Sequence, residues 1–181
     1  MSLRPAIIYT IAFFILLPLY FWIQPSTRPA SALEEQQESL LKLGGGIDAV
    51  TIVSGPESLK FQKTSDGKFY QLVAPPGKFV PRDLMDALVS LLIGAKSVEV
   101  VAQNINDLSQ FGLDHPKSII TVEAPGHPQP IKIAFGNENP THTAVYAILE
   151  GTPKVFLLGE NIEYYQSLMF QWVEGKQGKT A

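Results

Sequence analysis

The sequence predicts an α+β protein in which one N-terminal transmembrane helix precedes a mostly antiparallel, twisted β-sheet with packed helices. An uncharged apolar run near the N-terminus is long enough to cross a bilayer. The remainder holds short runs of alternating polarity between glycine- and proline-rich turns, a pattern typical of antiparallel strands. Two segments have the apolar period of an amphipathic helix. The predicted parts are a membrane anchor (1–23), a tether with a short helix (24–46), an extracytoplasmic α+β domain (47–174) and a flexible tail (175–181).

The membrane anchor is predicted from nineteen residues without a charge, which run from Pro5 to Ile23. A helix of that length rises about 28 Å, which is close to the hydrocarbon thickness of a bilayer. Tyr20 and Trp22 are amphipathic aromatic residues, which we expect at the membrane–water interface. The lipid bilayer is therefore a predicted partner.

A cleaved signal peptide is the alternative, because Ala30-Ser31-Ala32 has the form of a cleavage site. The apolar run is longer than the apolar core of most signal peptides, and the site lies well beyond Ile23, so an uncleaved anchor is favoured. Arg4 precedes the run and Arg28 follows it, so the charge signal for orientation is weak. A short N-terminal head normally stays in the cytoplasm. We therefore expect a single-pass protein of the bacterial inner membrane with its C-terminal domain in the periplasm.

The tether is predicted from the proline and small residues of 24–32 and the helix-forming residues of 33–43. Three glycines at 44–46 then separate this segment from the domain. A phosphate-binding loop would need a Lys-Ser or Lys-Thr pair after the glycines, and none follows. We interpret the glycines as a hinge.

The first half of the domain should contain three antiparallel strands and a helix. Strands are predicted at Ile47–Val53, around Leu59 and Phe61, and at Phe69–Val73, the last two joined by a hairpin turn at Ser65-Asp66-Gly67. A helix is predicted from Pro81 to about residue 95, followed by a strand around Glu99. Its apolar face is formed by Leu84, Leu88, Leu91, Leu92 and Ala95, with Asp83 and Asp86 on the opposite side.

A helix ending is predicted between Asn106 and Leu113. Asn106 is a suitable N-cap, and Gly112 can adopt the left-handed conformation that ends a helix. If Gly112 is the first residue beyond the cap, Leu108 and Leu113 form the apolar pair that accompanies a Schellman motif. Four more strands and a last helix follow, predicted at Ile119–Val122, Ile131–Phe135, Ala144–Leu149, Val155–Leu158 and about Glu160–Val173.

The same segment carries a family resemblance. The run Gln110-Phe111-Gly112-Leu113-Asp114-His115-Pro116 before the strand at 118–122 resembles the hallmark of the domain-of-unknown-function 4340 family. Phe135-Gly136 and Ala144-Val145-Tyr146 match later parts of that family, over roughly residues 47–170 in all. The chain departs from it at Phe69 or Tyr70, where the family more often has tryptophan. The residues that form the structural turn are Leu108, Gly112, Leu113, Asp114 and Pro116.

This resemblance implies a membrane-anchored extracytoplasmic protein without an established catalytic mechanism. Some members are associated with auxiliary components of ABC-type systems similar to those of gliding motility. The family supplies no catalytic residues, so the resemblance implies none here.

Composition excludes several kinds of chemistry. The chain has no cysteine, which excludes disulfides, thiolate metal sites and a cysteine nucleophile. Its net charge is −3, with two of the 14 basic side chains and none of the 17 acidic ones in the first 32 residues. The acidic remainder lacks a basic surface for phosphate contacts, so no nucleic-acid partner is expected.

No constellation of catalytic residues emerges either. His115, His127 and His142 lack the spacing of local metal ligands, and no G-x-S-x-G sequence is present. Asp83 and Asp86 are better explained as charges near a helix N-terminus. We therefore predict no catalytic, cofactor-binding or metal-binding residues and no enzyme activity. An enzyme with an unrecognised site is the least favoured alternative.

The predicted partner contacts are aromatic residues of the last helix and polar residues of the 136–143 loop. Tyrosine and tryptophan are enriched at interfaces, although aromatic residues here could equally complete the core. Polar loops on rigid sheets often mediate recognition. The candidates are Tyr164, Phe170, Trp172, Asn137, Asn139 and His142.

The expected function is a non-enzymatic accessory or scaffolding subunit of a larger inner-membrane complex, whose partners are other inner-membrane proteins. The alternative is an envelope ligand-binding or auxiliary component of an ABC-type transport or gliding system. That alternative would require a concave apolar pocket between the sheet and a helix.

Overall fold

The computed structural model describes residues 13, 40–41, 43, 46–95, 99–103 and 107–175, and for 99–103 only the backbone. The chain divides into two compact units, Met1–Gln37 and Glu38–Ala181. Apart from Phe13, the predicted membrane segment with Tyr20 and Trp22, the cleavage-like site at Ala32 and most of the tether lie outside the described residues. Within the described ranges, no helix is both long enough and apolar enough to cross a membrane.

The second unit is an antiparallel sheet with two α-helices, which confirms the predicted α+β class of the domain. The described strands are β1 (Ala49–Ser54), β2 (Glu57–Lys63), β3 (Tyr70–Ala74), β4 (Glu99–Gln103), β5 (Ser118–Glu123), β6 (Ile131–Glu138), β7 (Ala144–Leu149) and β8 (Lys154–Gly159). The helices are α1 (Arg82–Ile93) and α2 (Asn161–Glu174), and a short 3₁₀ helix covers Ser109–Phe111.

The eight strands form one sheet in the order β3-β2-β1-β5-β6-β7-β8-β4. Strand β1 joins the two halves because it pairs with β2 on one side and with β5 on the other, both antiparallel. After α1 the chain forms the far edge strand β4, which pairs with β8, and then returns to the centre of the sheet as β5. The antiparallel meander from β5 to β8 fills the space between.

The main core lies between the helices and one face of the sheet. In α1 the side chains of Leu88 and Leu92 are fully buried, as the apolar period of this segment predicts, and Met85, which is not part of the predicted face, is buried beside them. Leu84 and Leu91 are half-buried and pack against the same core, while Asp83 and Asp86 are exposed. In α2 Ile162 and Met169 are buried in the core, and four half-buried residues pack against it: Tyr165, Phe170, Trp172 and Val173. The two helices also pack against each other.

A second, smaller core covers the opposite face of the sheet. Side chains alternate along β7, so that Val145 and Ala147 belong to the main core while Tyr146 and Ile148 face the other way. Phe111 and Leu113 pack on this second face together with Val155. The segment before β5 therefore closes the face that the helices leave uncovered.

Candidate functional site

The turn before β5 is built from local hydrogen bonds, and residues 108–114 are called the Gly112 turn below. Gly112 has φ 67° and ψ 21°, which is the left-handed conformation. The Leu113 N–H donates to the Leu108 carbonyl at 3.1 Å, and the Gly112 N–H donates to the Ser109 carbonyl at 2.9 Å. These are the two bonds of a Schellman motif. Leu108 and Leu113 pack together with Phe111 in the smaller core.

The structure differs from expectation in how this turn begins. The helical part is a three-residue 3₁₀ helix, and Asn106 lies outside the described residues. Asp107 organises its start, since its Oδ1 accepts hydrogen bonds from the Ser109 N–H at 2.9 Å and the Ser109 hydroxyl at 2.5 Å. These bonds hold the pKa of Asp107 below its ordinary value. A short polar side chain that accepts a hydrogen bond from the backbone N–H two residues later is a common turn-forming arrangement.

The Gly112 turn rests directly on a bulge in β6. Between Phe135 and Glu138, strand β6 contains one residue more than its partner β7. A Cβ atom at Gly136 in this bulge would overlap the carbonyl oxygen of Phe111. A Cβ atom at Gly112 would lie 2.6 Å from Cγ of Asn137. Glycines at both positions therefore allow the two backbones to approach.

Asp114 and Pro116 lead from the turn into β5. The Asp114 side chain accepts a hydrogen bond from the His115 N–H at 3.0 Å and is otherwise exposed. After Pro116, the Lys117 N–H donates to the Phe135 carbonyl at 2.8 Å, which begins the pairing of β5 with β6. Both residues thus lie in a connection rather than in a pocket.

The polar loop between β6 and β7 is shorter than predicted. Because β6 continues through its bulge to Glu138, the loop comprises residues 139–143 rather than 136–143. Asn139 organises this loop, with Oδ1 accepting from the Thr143 N–H at 2.9 Å and the Ala144 N–H at 3.2 Å. Asn137 lies against the Gly112 turn. Two of the three predicted contact residues in this region are therefore engaged within the domain.

His142 is one of the exposed residues of that loop. It has a positive φ of 54° and pairs through Nδ1 with Oε2 of Glu138 at 2.5 Å. The hydrogen bond to His142 lowers the pKa of the Glu138 carboxyl. His115 and His127 occupy other turns, and among the described residues no group of histidine and acidic side chains is arranged to hold a metal ion.

A polar pocket of about 90 Å³ lies where the end of β1 and the start of β5 meet α2. One face of α2 contributes four residues at the spacing i, i+3, i+4 and i+7. The lining residues are Ser54, Lys117, Ser118, Glu163, Gln166, Ser167 and Phe170. The helix residues among them are polar except Phe170, a predicted partner-contact residue whose ring forms an apolar part of the wall.

Gln166 is the unusual residue of this pocket. It is only 3% exposed, yet neither Oε1 nor Nε2 has a hydrogen-bond partner within the described protein. Oε2 of Glu163 is likewise buried without a partner. Burial raises the pKa of Glu163, partly opposed by Lys117, whose Nζ lies 4.0 Å from the other carboxyl oxygen. Buried polar atoms are nearly always hydrogen-bonded, so three such atoms at one pocket call for an explanation.

The sequence contained a signal for this site that the analysis of motifs missed. Gln166 lies four residues after Ile162 and three before Met169, both of which are buried in the core. The buried face of α2 therefore includes a glutamine. A polar residue on the apolar face of a helix must either find a partner or serve a ligand.

Comparison with known families identifies the domain. Residues 80–176, more than half of the chain, match the family model described as Domain of unknown function (DUF4340). The chain belongs to the DUF4340 family. The matched part of this DUF4340 protein runs from the residue before Pro81 through α2, so it contains the Gly112 turn, the β6 bulge and the α2 side of the pocket. Strands β1–β3, which the sequence resemblance was expected to include, precede the match. No curated protein and no solved structure matched the chain.

Aromatic side chains of the DUF4340 domain form two pairs at its surface. Tyr164 on α2 is 58% exposed and contacts Tyr165 edge to face, with ring centroids 5.6 Å apart. Phe79, which precedes α1, is 69% exposed and contacts the half-buried Trp172 edge to face at 6.4 Å. Sequence analysis selected Tyr164 and Trp172 but missed Phe79, although a phenylalanine in a proline- and glycine-rich loop has no strand or helix face to bury it.

Proposed function

We propose that this DUF4340 protein is a non-enzymatic accessory or scaffolding subunit of a larger inner-membrane complex. Its single span would anchor it in the bacterial inner membrane, and its domain would contact partner proteins in the periplasm. The apolar run from Pro5 to Ile23 supports the anchor, since it has the length and the interfacial aromatic residues of a membrane span.

The observation that carries the partner-binding part is the exposure of Phe79 and Tyr164. Each large ring is more than half exposed and lies beside a second aromatic ring. Each pair therefore presents an aromatic surface that a partner protein can contact. Aromatic residues of this kind supply much of the binding free energy in protein interfaces. The partners that suit this location are the extracytoplasmic parts of other inner-membrane proteins.

The proposal is tested by isolating the tagged full-length protein from its native membrane in mild detergent and identifying bound proteins by mass spectrometry. We expect stoichiometric membrane proteins that survive a salt wash. Phe79→Ser and Tyr164→Ser should reduce their recovery, whereas Gln171→Ala, at an exposed polar position of α2, should not. Isolation of the wild-type protein without stoichiometric partners would refute the scaffolding role.

A ligand-binding or auxiliary component of an ABC-type transport or gliding system is the second candidate. The polar pocket favours it, because a buried glutamine amide faces a cavity at the junction of sheet and helix. The pocket differs from the apolar one that this alternative was expected to need. Its small volume and its mixed polar and apolar lining restrict the ligand to a group of a few heavy atoms that combines polar atoms with a short apolar part. Ligand binding by the purified protein in the absence of any partner would support this candidate.

A further inference from the structure

The polar pocket contains a defined set of hydrogen-bonding groups without protein partners. Gln166 supplies one acceptor, Oε1, and one donor group, Nε2, and Glu163 supplies the acceptor Oε2. Two of the three serine hydroxyls that line the pocket bond within the protein, since Ser54 donates to the Lys117 carbonyl and Ser167 donates to the Tyr164 carbonyl. A ligand that satisfies the three buried atoms must therefore offer two donors and one acceptor.

Charged ligands satisfy this set poorly. A carboxylate has acceptors only, so it would leave Oε1 of Gln166 and Oε2 of Glu163 unpaired. An ammonium or guanidinium group has donors only, so it would leave Nε2 of Gln166 unpaired. The charges around Glu163 are those of Lys117, Glu138 and Glu160, and Lys117 already lies near the carboxyl group. A neutral ligand avoids adding a second cation beside Lys117 or another anion among the carboxylates.

We propose that the pocket of Glu163 and Gln166 is a binding site for a primary carboxamide group. Its two N–H bonds match the two acceptors, and its carbonyl oxygen matches the Nε2 donor. A short alkyl chain attached to the amide would lie against the ring of Phe170 at the pocket wall. The group comes either from a free small amide or from an asparagine or glutamine side chain of a partner. This inference concerns the pocket and goes beyond the accessory role, which depends on the aromatic pairs.

The test uses the purified full-length protein in detergent micelles, with nitrogen-15 labelling and NMR detection of two signals: the side-chain amide of Gln166 and the backbone amide of Ser167, which also lines the pocket and is retained when Gln166 is replaced. Propionamide is the probe, and N,N-dimethylpropionamide and propionate are its controls, because the first lacks N–H donors and the second also lacks a neutral carbonyl. We expect saturable shifts with propionamide and binding about tenfold weaker or more with each control, the effect of leaving a buried polar group unpaired.

Two variants separate binding from folding. Gln166→Met replaces the amide with an apolar chain of similar length and should abolish saturable binding of propionamide. Glu163→Leu removes one acceptor and should weaken binding about tenfold, and it provides the test if Gln166→Met does not fold. Equal responses to all three probes, or none to propionamide, would overturn the proposal, and the pocket atoms would then be satisfied by water alone.

A separate experiment distinguishes a free small amide from an asparagine or glutamine side chain of a partner protein. Propionamide is added to the washed complex from the membrane isolation. Release of a bound protein assigns the pocket to a partner's asparagine or glutamine side chain, whereas retention together with propionamide binding by the purified protein assigns it to a free small amide. Because the titration needs no partner, a failure of the accessory role leaves its result interpretable.

Discussion

Gly136 lies directly against the carbonyl oxygen of Phe111, so close that a Cβ atom at position 136 would overlap that oxygen. This contact joins the β6 bulge to the Gly112 turn and brings together Phe111 and Gly136, which are 25 residues apart in the sequence (136 − 111). The backbone at Gly136 does not adopt a positive φ, so the requirement for glycine comes from the close approach alone.

The first prediction concerns this approach. Gly136→Ala should lower the free energy of unfolding by about 1–3 kcal/mol, since the turn must move away from β6 to accept a methyl group. Gly159→Ala is the matched control, because Gly159 is also a strand glycine but has no atom within 4 Å of its ideal Cβ position. Denaturant unfolding measures both. Equal losses in the two variants would contradict the role assigned to the contact with Phe111.

The second prediction separates conformational strain from contact at Gly112. Gly112→Ala should destabilise the domain by about 1–2 kcal/mol for the left-handed conformation, and further through the collision with Asn137. Gly126→Ala isolates the conformational part, because Gly126 has φ 82° and open space around its Cβ position. Gly112→Ala should therefore lose more stability than Gly126→Ala. Adding Asn137→Gly to Gly112→Ala removes the collision and should bring the two losses of stability closer together. Thermal unfolding of the four proteins would show whether it does.

The third prediction concerns the stability cost of the pocket. Gln166→Met should raise the free energy of unfolding by about 1–3 kcal/mol, because it removes two buried polar atoms that have no partner in the protein. Gln171→Met, on the exposed side of the same helix, should change it little. We expect Gln166→Met to be more stable than the wild type and unable to bind propionamide. This combination is typical of a residue that is kept for binding at a cost in folding stability. If Gln166→Met lowers the free energy of unfolding by more than Gln171→Met does, the amide of Gln166 has a structural role.

The fourth prediction is a pH dependence at Glu163. Burial raises the pKa of the Glu163 carboxyl above its ordinary value, so the folded state binds this proton more tightly than the unfolded state. Protonated Glu163 thus contributes fully to the free energy of unfolding below the pKa that Glu163 has in the unfolded state. This contribution is lost as pH rises through the pKa that Glu163 has in the folded state. Glu163→Gln should therefore become progressively more stable than the wild type as pH rises through that interval.

Equilibrium unfolding from about pH 4 to about pH 8 measures this difference, with the interval set by the ordinary carboxyl pKa. Lys117, Glu138 and Glu160 are the charges that act on Glu163. Glu57→Gln serves as the control, because Glu57 is exposed at the start of β2 and is not among these charges. A difference between wild type and Glu163→Gln that stays constant over this interval would contradict the raised pKa.

Much of the domain follows from short-range patterns in the chain. Alternating polarity predicts strands near their observed positions, and the hairpin between β2 and β3 lies at Ser65-Asp66-Gly67 as expected. The spacing of leucines predicts α1 and its buried face. Each of these features depends on the residues of one or two neighbouring turns, because that is the range of a helix period, a hairpin turn or a cap.

The tertiary structure alone decided which segments meet. Pairing of β1 with β5 and of β4 with β8 joins strands that are far apart in sequence, and no local pattern specifies such partners. Folding of the sheet also places Gly136 against Phe111 and buries Gln166 beside Glu163. In the folded domain Asn139 accepts hydrogen bonds within its own loop. Sequence by itself determined the strands, the helices and the turn chemistry, since these depend on near neighbours. The pocket exists only because packing brings the ends of β1 and β5 against one face of α2, and burial of a given side chain depends on the whole sheet.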